Sequence, residues 1–188
     1  MRKITPKMLL AALVVSTTWT GCIKDKDPVS VPQPPDNEPE VITTLALTFV
    51  DSANTSDVRY ATFRDPDGDG GAGPDIFDTI KLASGKTWLT SILILNETVS
   101  PADTISNEVL EEADEHLFCF SPTGTSATVT ITDLDDNSLP VGLQSKWKTA
   151  SAGTGTMEIR LKHQPGVKDG TCEPGETDID VIFRVQIQ

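Results

Sequence analysis

Hydrophobic and polar residues alternate along much of this chain, and this period of two is the feature that most restricts its fold. The clearest run lies near the C-terminal end, where mostly polar residues separate Ile179, Val181, Phe183, Val185 and Ile187. Successive side chains of a β-strand point to opposite faces, so this alternation predicts a strand with one buried and one wet face. The pattern favours a sheet-based fold over a helical one.

Further segments extend the same prediction. Shorter alternating runs lie at 45–49, 127–131 and 157–161, and Trp88–Leu95 is apolar on both faces, which is typical of a central strand. Four weaker strand candidates are Val58–Phe63, Phe77–Leu82, Leu117–Phe120 and Leu143–Lys148.

One segment has helical spacing instead. Val109, Leu110 and Ala113 lie on one side of a predicted helix over 106–117, acidic residues cover the other side, and Ser106 is a candidate N-cap. About eight or nine short strands with a single helix predict an all-β fold. We expect an antiparallel, immunoglobulin-like β-sandwich with one short crossover helix near 106–117.

The N-terminal residues predict export. A basic start is followed by the apolar run Met8–Val15 and then by Gly21-Cys22, as in a secretory signal peptide over 1–21. Eight apolar residues rise only about 12 Å, whereas a membrane core measures about 30 Å. Gly21-Cys22 resembles a bacterial lipobox, which implies that Cys22 is acylated, for example with palmitate, and anchors the protein in the outer membrane. The alternative is an ordinary cleaved signal.

A tether over 22–40 separates the predicted anchor from a single domain over 41–188. The segment 27–40 contains five prolines and acts as an acidic, semi-rigid spacer. Ile23–Asp27 is rich in Lys and Asp and resembles the surface-export signal of Bacteroidota lipoproteins; otherwise it is a solvated tether. The protein is therefore expected on the periplasmic side or at the cell surface.

Charge and motifs exclude several functions. The chain has 28 Asp and Glu against 15 Lys and Arg, a net charge of −13, which argues against nucleic-acid binding because phosphates require a basic patch. Neither a Gly-x-Ser-x-Gly motif nor a phosphate loop is present, and paired carboxylates such as Glu111 and Glu112 lie on the solvated helix face. We therefore expect a protein that is not an enzyme.

The cysteines and histidines allow two chemistries. With Cys22 acylated, Cys119 and Cys172 remain, and in an oxidising compartment they are expected to form a disulfide. Two reduced, buried thiols are the alternative. With both sulfurs free, His116 and His163, the latter on the inner face of the 157–161 strand, would complete a soft-metal site. Otherwise each histidine is a core or rim residue bonded to a carbonyl.

An acidic, glycine-rich loop over 65–75 predicts a calcium site. It resembles the calcium loops of EF-hand and thrombospondin-type repeats, and Ca²⁺ prefers several oxygen ligands. A bidentate Glu is missing, since Ile76 occupies its position. The predicted ligands are the side chains of Asp65, Asp67 and Asp69, the carbonyl of Gly71, and Asp75 or Asp78 as substitute. The alternative is a hairpin loop held by Asx-turns.

Two surface features complete the candidates. Ser52, Thr79 and Thr104 each follow an Asp and precede an aliphatic residue, which resembles the Bacteroidota O-glycosylation pattern, although such matches also arise by chance. The loop over 164–178 carries four carboxylates and Cys172. It is interpreted as a disulfide-tied surface loop, with a functional loop as the alternative.

Taken whole, 41–188 resembles a group of small uncharacterised Bacteroidota lipoproteins, through the segments 65–71, 111–122 and 162–170. Such chains are sometimes assigned a type 1 periplasmic-binding fold, whose two α/β lobes this pattern does not predict. The leading hypothesis is a non-catalytic binding or scaffold module for an envelope protein or glycan. A solute-binding lipoprotein for carbohydrate or a cation comes second, and a small envelope enzyme third. A concave apolar pocket lined by Trp88 or Trp147 would favour a ligand, whereas smooth, packed faces would favour a scaffold.

Overall fold

The structure, a computed structural model, describes residues 40–68 and 71–188, and two β-sheets pack face to face within them. The strands are β1 (Thr44–Asp51), β2 (Asn54–Arg64), β3 (Ile76–Phe77), β4 (Thr79–Leu82), β5 (Thr87–Leu95), β6 (His116–Thr123), β7 (Thr128–Ile131), β8 (Gln144–Lys148), β9 (Gly153–His163) and β10 (Glu176–Ile187). The helix α1 (Ile105–Glu111) lies between β5 and β6.

The six-stranded sheet has the order β3-β2-β1-β5-β8-β7, and the four-stranded sheet has the order β4-β10-β9-β6. The predicted all-β sandwich with one short helix is confirmed. One strand pair departs from the antiparallel expectation, because β4 lies parallel to β10. The four-stranded sheet is therefore mixed.

Alternation along the strands places the core between the sheets. Phe49 of β1 and Phe183 of β10 are fully buried from opposite sheets. The Trp147 ring meets Phe49 edge-on at 5.1 Å and Phe120 edge-on at 5.9 Å, which is the favourable T-shaped arrangement. Trp88, opposite Trp147 in the sheet, is also fully buried, so neither indole lines an open pocket.

The crossover helix is shorter than predicted. It begins after Thr104 and ends at Glu111, and His116 and Leu117 already belong to β6. Ser106 does not cap it, because its Oγ accepts a hydrogen bond from the Ile94 amide at 2.7 Å. Leu117 has the helical spacing of Val109, but it lies in β6. The length of the helix was therefore overestimated, because it was predicted from a few apolar residues at helical spacing.

The predicted strand over 77–82 is two strands in different sheets. β3 pairs with β2 and β4 pairs with β10, and Asp78 lies between them. The Phe77 ring meets Phe63 of the six-stranded sheet at 5.3 Å and Phe183 of the four-stranded sheet at 5.6 Å. This change of sheet closes one side of the sandwich, whereas the edges β6 and β7 bound the opposite side.

Candidate functional site

Two histidines meet at one end of the four-stranded sheet. The register of β6 against β9 places His116 directly opposite His163, and their rings stack at 4.7 Å between centroids with 4° between planes. His163 lies two residues beyond the buried Leu161, so it continues the inner face of β9 as the sequence predicted. The register brings together two residues that are 47 positions apart.

His116 is fully buried and only half satisfied. Its Nδ1 lies 3.1 Å from the carbonyl oxygen of Glu112, and a carbonyl can only accept, so Nδ1 carries the proton. Its Nε2 is buried and has no hydrogen-bond partner among the described residues. Burial lowers the pKa of His116 to about 4, so the ring is neutral near pH 7.

The two histidines and Glu112 form the group of possible metal ligands that the described part of the chain contains. One ligand atom from each residue lies within 4.8 Å of the other two. Glu115 is close as well, with its Oε2 3.6 Å from His163 Nε2. Glu112 was predicted to lie on a solvated helix face, and it is indeed exposed. Because the short helix ends at Glu111, however, the Glu112 carboxylate lies beside the two histidine rings.

Carboxyl groups surround this end of the sheet. Burial, followed by the charges of Glu108 and Asp178, raises the pKa of Glu40 to about 7. Burial also raises the pKa of Glu108 and of Asp178, and the nearby His163 opposes the shift of Asp178. These carboxyl groups form an acidic cluster beside His163, whereas the positive charge of Lys168 acts on the buried His116 ring.

Cys119 and Cys172 are joined in a disulfide, with Cα atoms 6.1 Å apart, as predicted. Their sulfurs are therefore not free to bind a metal, which excludes the alternative of a soft-metal site that uses both cysteines with His116 and His163. The disulfide instead ties the segment before β10 to the outer face of β6.

The segment 164–175 is an ordered cover on the outer face of the four-stranded sheet. The Gln164 side chain is fully buried and donates to the carbonyls of Thr171 and Pro174, both at 2.9 Å. Lys162 Nζ donates to the Gly175 carbonyl at 2.9 Å. Loop carbonyls thus close around two side chains from the end of β9, which explains how a long, acidic loop is held in place.

A buried ion pair fastens the same segment on its other side. Lys168 Nζ lies 2.8 Å from Asp135 Oδ2 and donates to the Ala113 carbonyl at 2.6 Å. Asp135 also accepts the amides of Asn137 and Leu139. This ion pair was not predicted from the sequence, because nothing in the local pattern distinguishes Lys168 from a solvated lysine.

The predicted calcium ligands serve other contacts. Asp67 Oδ2 accepts the Ala72 amide at 2.8 Å, Asp75 pairs with Arg64, and Asp78 accepts the Thr62 amide at 3.0 Å. Asp65 joins no group of possible metal-ligating side chains in the described residues, the Gly71 amide donates to the Gly68 carbonyl at 3.2 Å, and Asp69 lies outside the described residues. The Ala72 bond resembles the hairpin-loop alternative, and calcium at this loop gains no support from the structure.

The outer face of the six-stranded sheet carries an exposed apolar surface. Leu89 and Leu93 of β5 are 46% and 43% exposed, and Tyr60 of β2 is 70% exposed. In register, Leu89 lies beside Val50 and Leu93 beside Ala46, whereas Tyr60 lies in the intervening row with the polar Thr48 and Ser91. We call this surface the outer patch: Ala46, Val50, Val58, Tyr60, Leu89 and Leu93. β5 is central in its sheet as predicted, but its apolar second face meets solvent in the described structure.

A groove of about 490 Å³ lies between the edge strands β6 and β7. Phe120, Val129, Ile131 and the Cys119–Cys172 disulfide contribute to its lining, and among its lining residues Thr128 alone has a polar side chain. The groove is therefore apolar, and it is separate from both tryptophans.

The remaining predictions concern surface and N-terminal residues. Ser52 is exposed in the turn after β1, whereas Thr79 and Thr104 are half-buried, and their glycosylation stays a prediction. The signal peptide, Cys22 and nearly all of the tether lie outside the described residues. No helix within the described ranges has the length and hydropathy needed to cross a membrane.

Comparison with protein-family models, curated proteins and solved structures finds no match to this chain.

Proposed function

We propose that this chain is an exported, lipid-anchored envelope protein whose β-sandwich is a non-catalytic binding or scaffold module. The observation that carries the proposal is the outer patch. Exposed apolar side chains gathered on one face of a sheet are typical of contacts with other proteins, and here they lie in two rows on either side of Thr48 and Ser91. Tyr60 adds an aromatic residue of the kind enriched at interfaces.

The contrast between the two sheets supports this interpretation. The chain covers the outer face of β6 and the end of β9 in its four-stranded sheet with its own segment 164–175, fixed by the disulfide and by Lys168, and leaves Ile182 of β10 exposed. No described segment covers the outer patch. Leu89 and Leu93 stand on an open sheet face, which encloses a small solute less than a pocket does, so a protein of the envelope is the partner that fits this face best.

Site-specific cross-linking in the native cell tests the scaffold function. A photoreactive residue at Leu93 is expected to give a discrete adduct with one envelope protein. The matched control is Ile182, which is 55% exposed on the other sheet and is expected to give no such adduct. Leu93→Glu should abolish an adduct formed from position 89. Equal adducts from positions 93 and 182, or none from 93, would contradict the proposal.

The anchor is tested separately. Cys22→Ala should move the protein from the detergent phase to the aqueous phase and remove the added acyl mass, because several acyl chains are needed for firm attachment. Retention of membrane association by this variant would contradict lipid anchoring and leave the outer patch untouched.

The groove between β6 and β7 favours a solute-binding module as the second candidate. Its volume falls within the range of small-molecule sites, which is about 300–1,000 Å³. A sugar requires several hydrogen-bond partners, and Thr128 is the single polar side chain of the lining, so an apolar solute suits the groove better than a carbohydrate. Titration with an apolar fluorescent probe, with Val129→Asp against Thr130→Asp as control, distinguishes a binding groove from a closed edge.

A further inference from the structure

We propose that Glu112, His116 and His163 bind a divalent transition-metal ion at the end of the four-stranded sheet. The three residues come from the end of α1, the start of β6 and the end of β9, so the fold itself brings their ligand atoms within 4.8 Å of one another. The inference goes beyond the proposed scaffold function and does not rest on it.

His116 is the fixed ligand. Its Nδ1–H donates to the Glu112 carbonyl, which sets the tautomer and leaves the lone pair on Nε2. Metal-binding histidines are commonly oriented in this way, with the second nitrogen bonded to a carbonyl. The Nε2 is buried without a partner in the described structure, and leaving a buried polar atom unpaired is unfavourable. A metal ion would satisfy it.

His163 and Glu112 are the movable ligands. Tetrahedral zinc with bonds of about 2.0–2.2 Å requires donor atoms roughly 3.3 Å apart, which is closer than the 4.8 Å limit observed. The two stacked rings also direct their lone pairs along parallel planes. Binding therefore requires the less buried His163 ring to turn out of the stack and the exposed Glu112 carboxylate to swing in.

The donor set selects the ion. Two imidazole nitrogens and one carboxylate suit Zn²⁺, Cu²⁺ or Ni²⁺, whereas Ca²⁺ prefers an all-oxygen shell. Three protein ligands leave the fourth tetrahedral position of zinc to water. Glu115, whose Oε2 lies 3.6 Å from His163 Nε2, adds a carboxylate beside the site without being required as a ligand.

The test is calorimetric titration of the full chain, purified in detergent without a polyhistidine tag and stripped with chelator. Zn²⁺ should bind with one ion per chain, and Co²⁺ should give the visible absorption of a tetrahedral site. Glu112→Gln and His163→Phe should each weaken binding by about tenfold or more, since even outer partners of metal ligands contribute that much. His163→Phe keeps an aromatic ring against His116.

Glu111→Gln is the matched control. Glu111 is the exposed last residue of α1, directly before Glu112, and it does not belong to the group of possible metal ligands. It should leave the affinity within about twofold. Thermal melts without metal verify that each variant is folded. Absence of zinc binding would overturn the proposal. Equal loss in Glu111→Gln and Glu112→Gln would also overturn it, as would equal affinity for Ca²⁺, because both indicate a diffuse acidic surface.

Discussion

Replacing Lys168 with methionine is expected to destabilise the domain more than any surface substitution. Lys168 and Asp135 have 2% and 0% of their side chains exposed, and they lie 2.8 Å apart. Methionine keeps most of the volume and removes the charge, which leaves the Asp135 carboxylate buried with its two amide donors alone. The Ala113 carbonyl loses its lysine donor as well.

The magnitude follows from burial. Breaking a buried ion pair by removing one partner costs about 3–5 kcal/mol, because the remaining charge is uncompensated. For a domain of this size each kcal/mol lowers Tm by roughly 2–4 °C, so the expected fall in Tm is roughly 6–20 °C. Equilibrium unfolding in urea at pH 7 measures the change in unfolding free energy directly.

Two controls isolate the cause. Arg59 pairs with Asp57 at 2.8 Å but is half exposed, so Arg59→Met should cost about 1 kcal/mol or less. Adding Asp135→Asn to Lys168→Met removes the unpaired charge and retains an oxygen for the two amides. This double variant should recover part of the loss. If Lys168→Met costs no more than Arg59→Met, or if the double variant recovers nothing, the burial argument is refuted.

Three further predictions follow from the disulfide and the titrating groups. Cys119→Ser with Cys172→Ser opens a link across 53 positions and should lower the unfolding free energy by about 4 kcal/mol, with faster hydrogen exchange over 164–175. The folded pKa of His116, about 4, lies below its ordinary value of 6.5, so its contribution is complete above pH 6.5 and decreases as pH falls towards 4. In urea unfolding, the unfolding free energy of the parent protein should fall by about 3 kcal/mol between these two pH values, and that of His116→Phe should not show this fall. The pKa of Glu40 is raised, so its ionisation penalty grows from pH 4.5 to 7, and Glu40→Gln should raise Tm at pH 8 but not at pH 4.

Local pattern was sufficient for most of the fold. Alternation located β1, β7, β9 and β10, because a period of two is fixed by the strand backbone itself, and a run apolar on both faces located β5. The local pattern failed to predict secondary structure where it depends on pairing with strands that are distant in sequence. Phe77–Leu82 was predicted as one strand, although Phe77 and Ile80 are three positions apart and out of phase with a period of two; Asp78 in fact marks a change of sheet. The 106–117 segment fits a helix by spacing, yet its last two residues pair with β9.

The exposure of the outer patch could not be read from the sequence for the same reason. Leu89 and Leu93 make both faces of β5 apolar, and a strand buried on both faces gives that pattern. Whether the second face is covered depends on where loops return. The loop 164–175, tied by Cys172, covers part of the other sheet instead, over β6 and the end of β9. The apolar second face of β5 therefore indicates a docking surface only when the position of that loop is also known.

The histidine pair illustrates how register creates a site from unremarkable parts. His116 and His163 are opposite each other because β6 and β9 pair with one alignment, and a shift of one residue would move either ring to the other face of the sheet. The same alignment places Gln164 next to Glu115. The backbone N–H of Gln164 donates to the Glu115 carbonyl at 2.6 Å, and this bond closes the end of the strand pairing. That bond holds the two rings at the sheet end, where the termination of α1 at Glu111 leaves the Glu112 carbonyl free to orient His116. A helix extended to 117, as the spacing predicted, would have placed His116 on a helix and removed it from β9. The short helix is therefore a condition for the site, and a variant that lengthens α1 should separate the histidines before it disturbs the core.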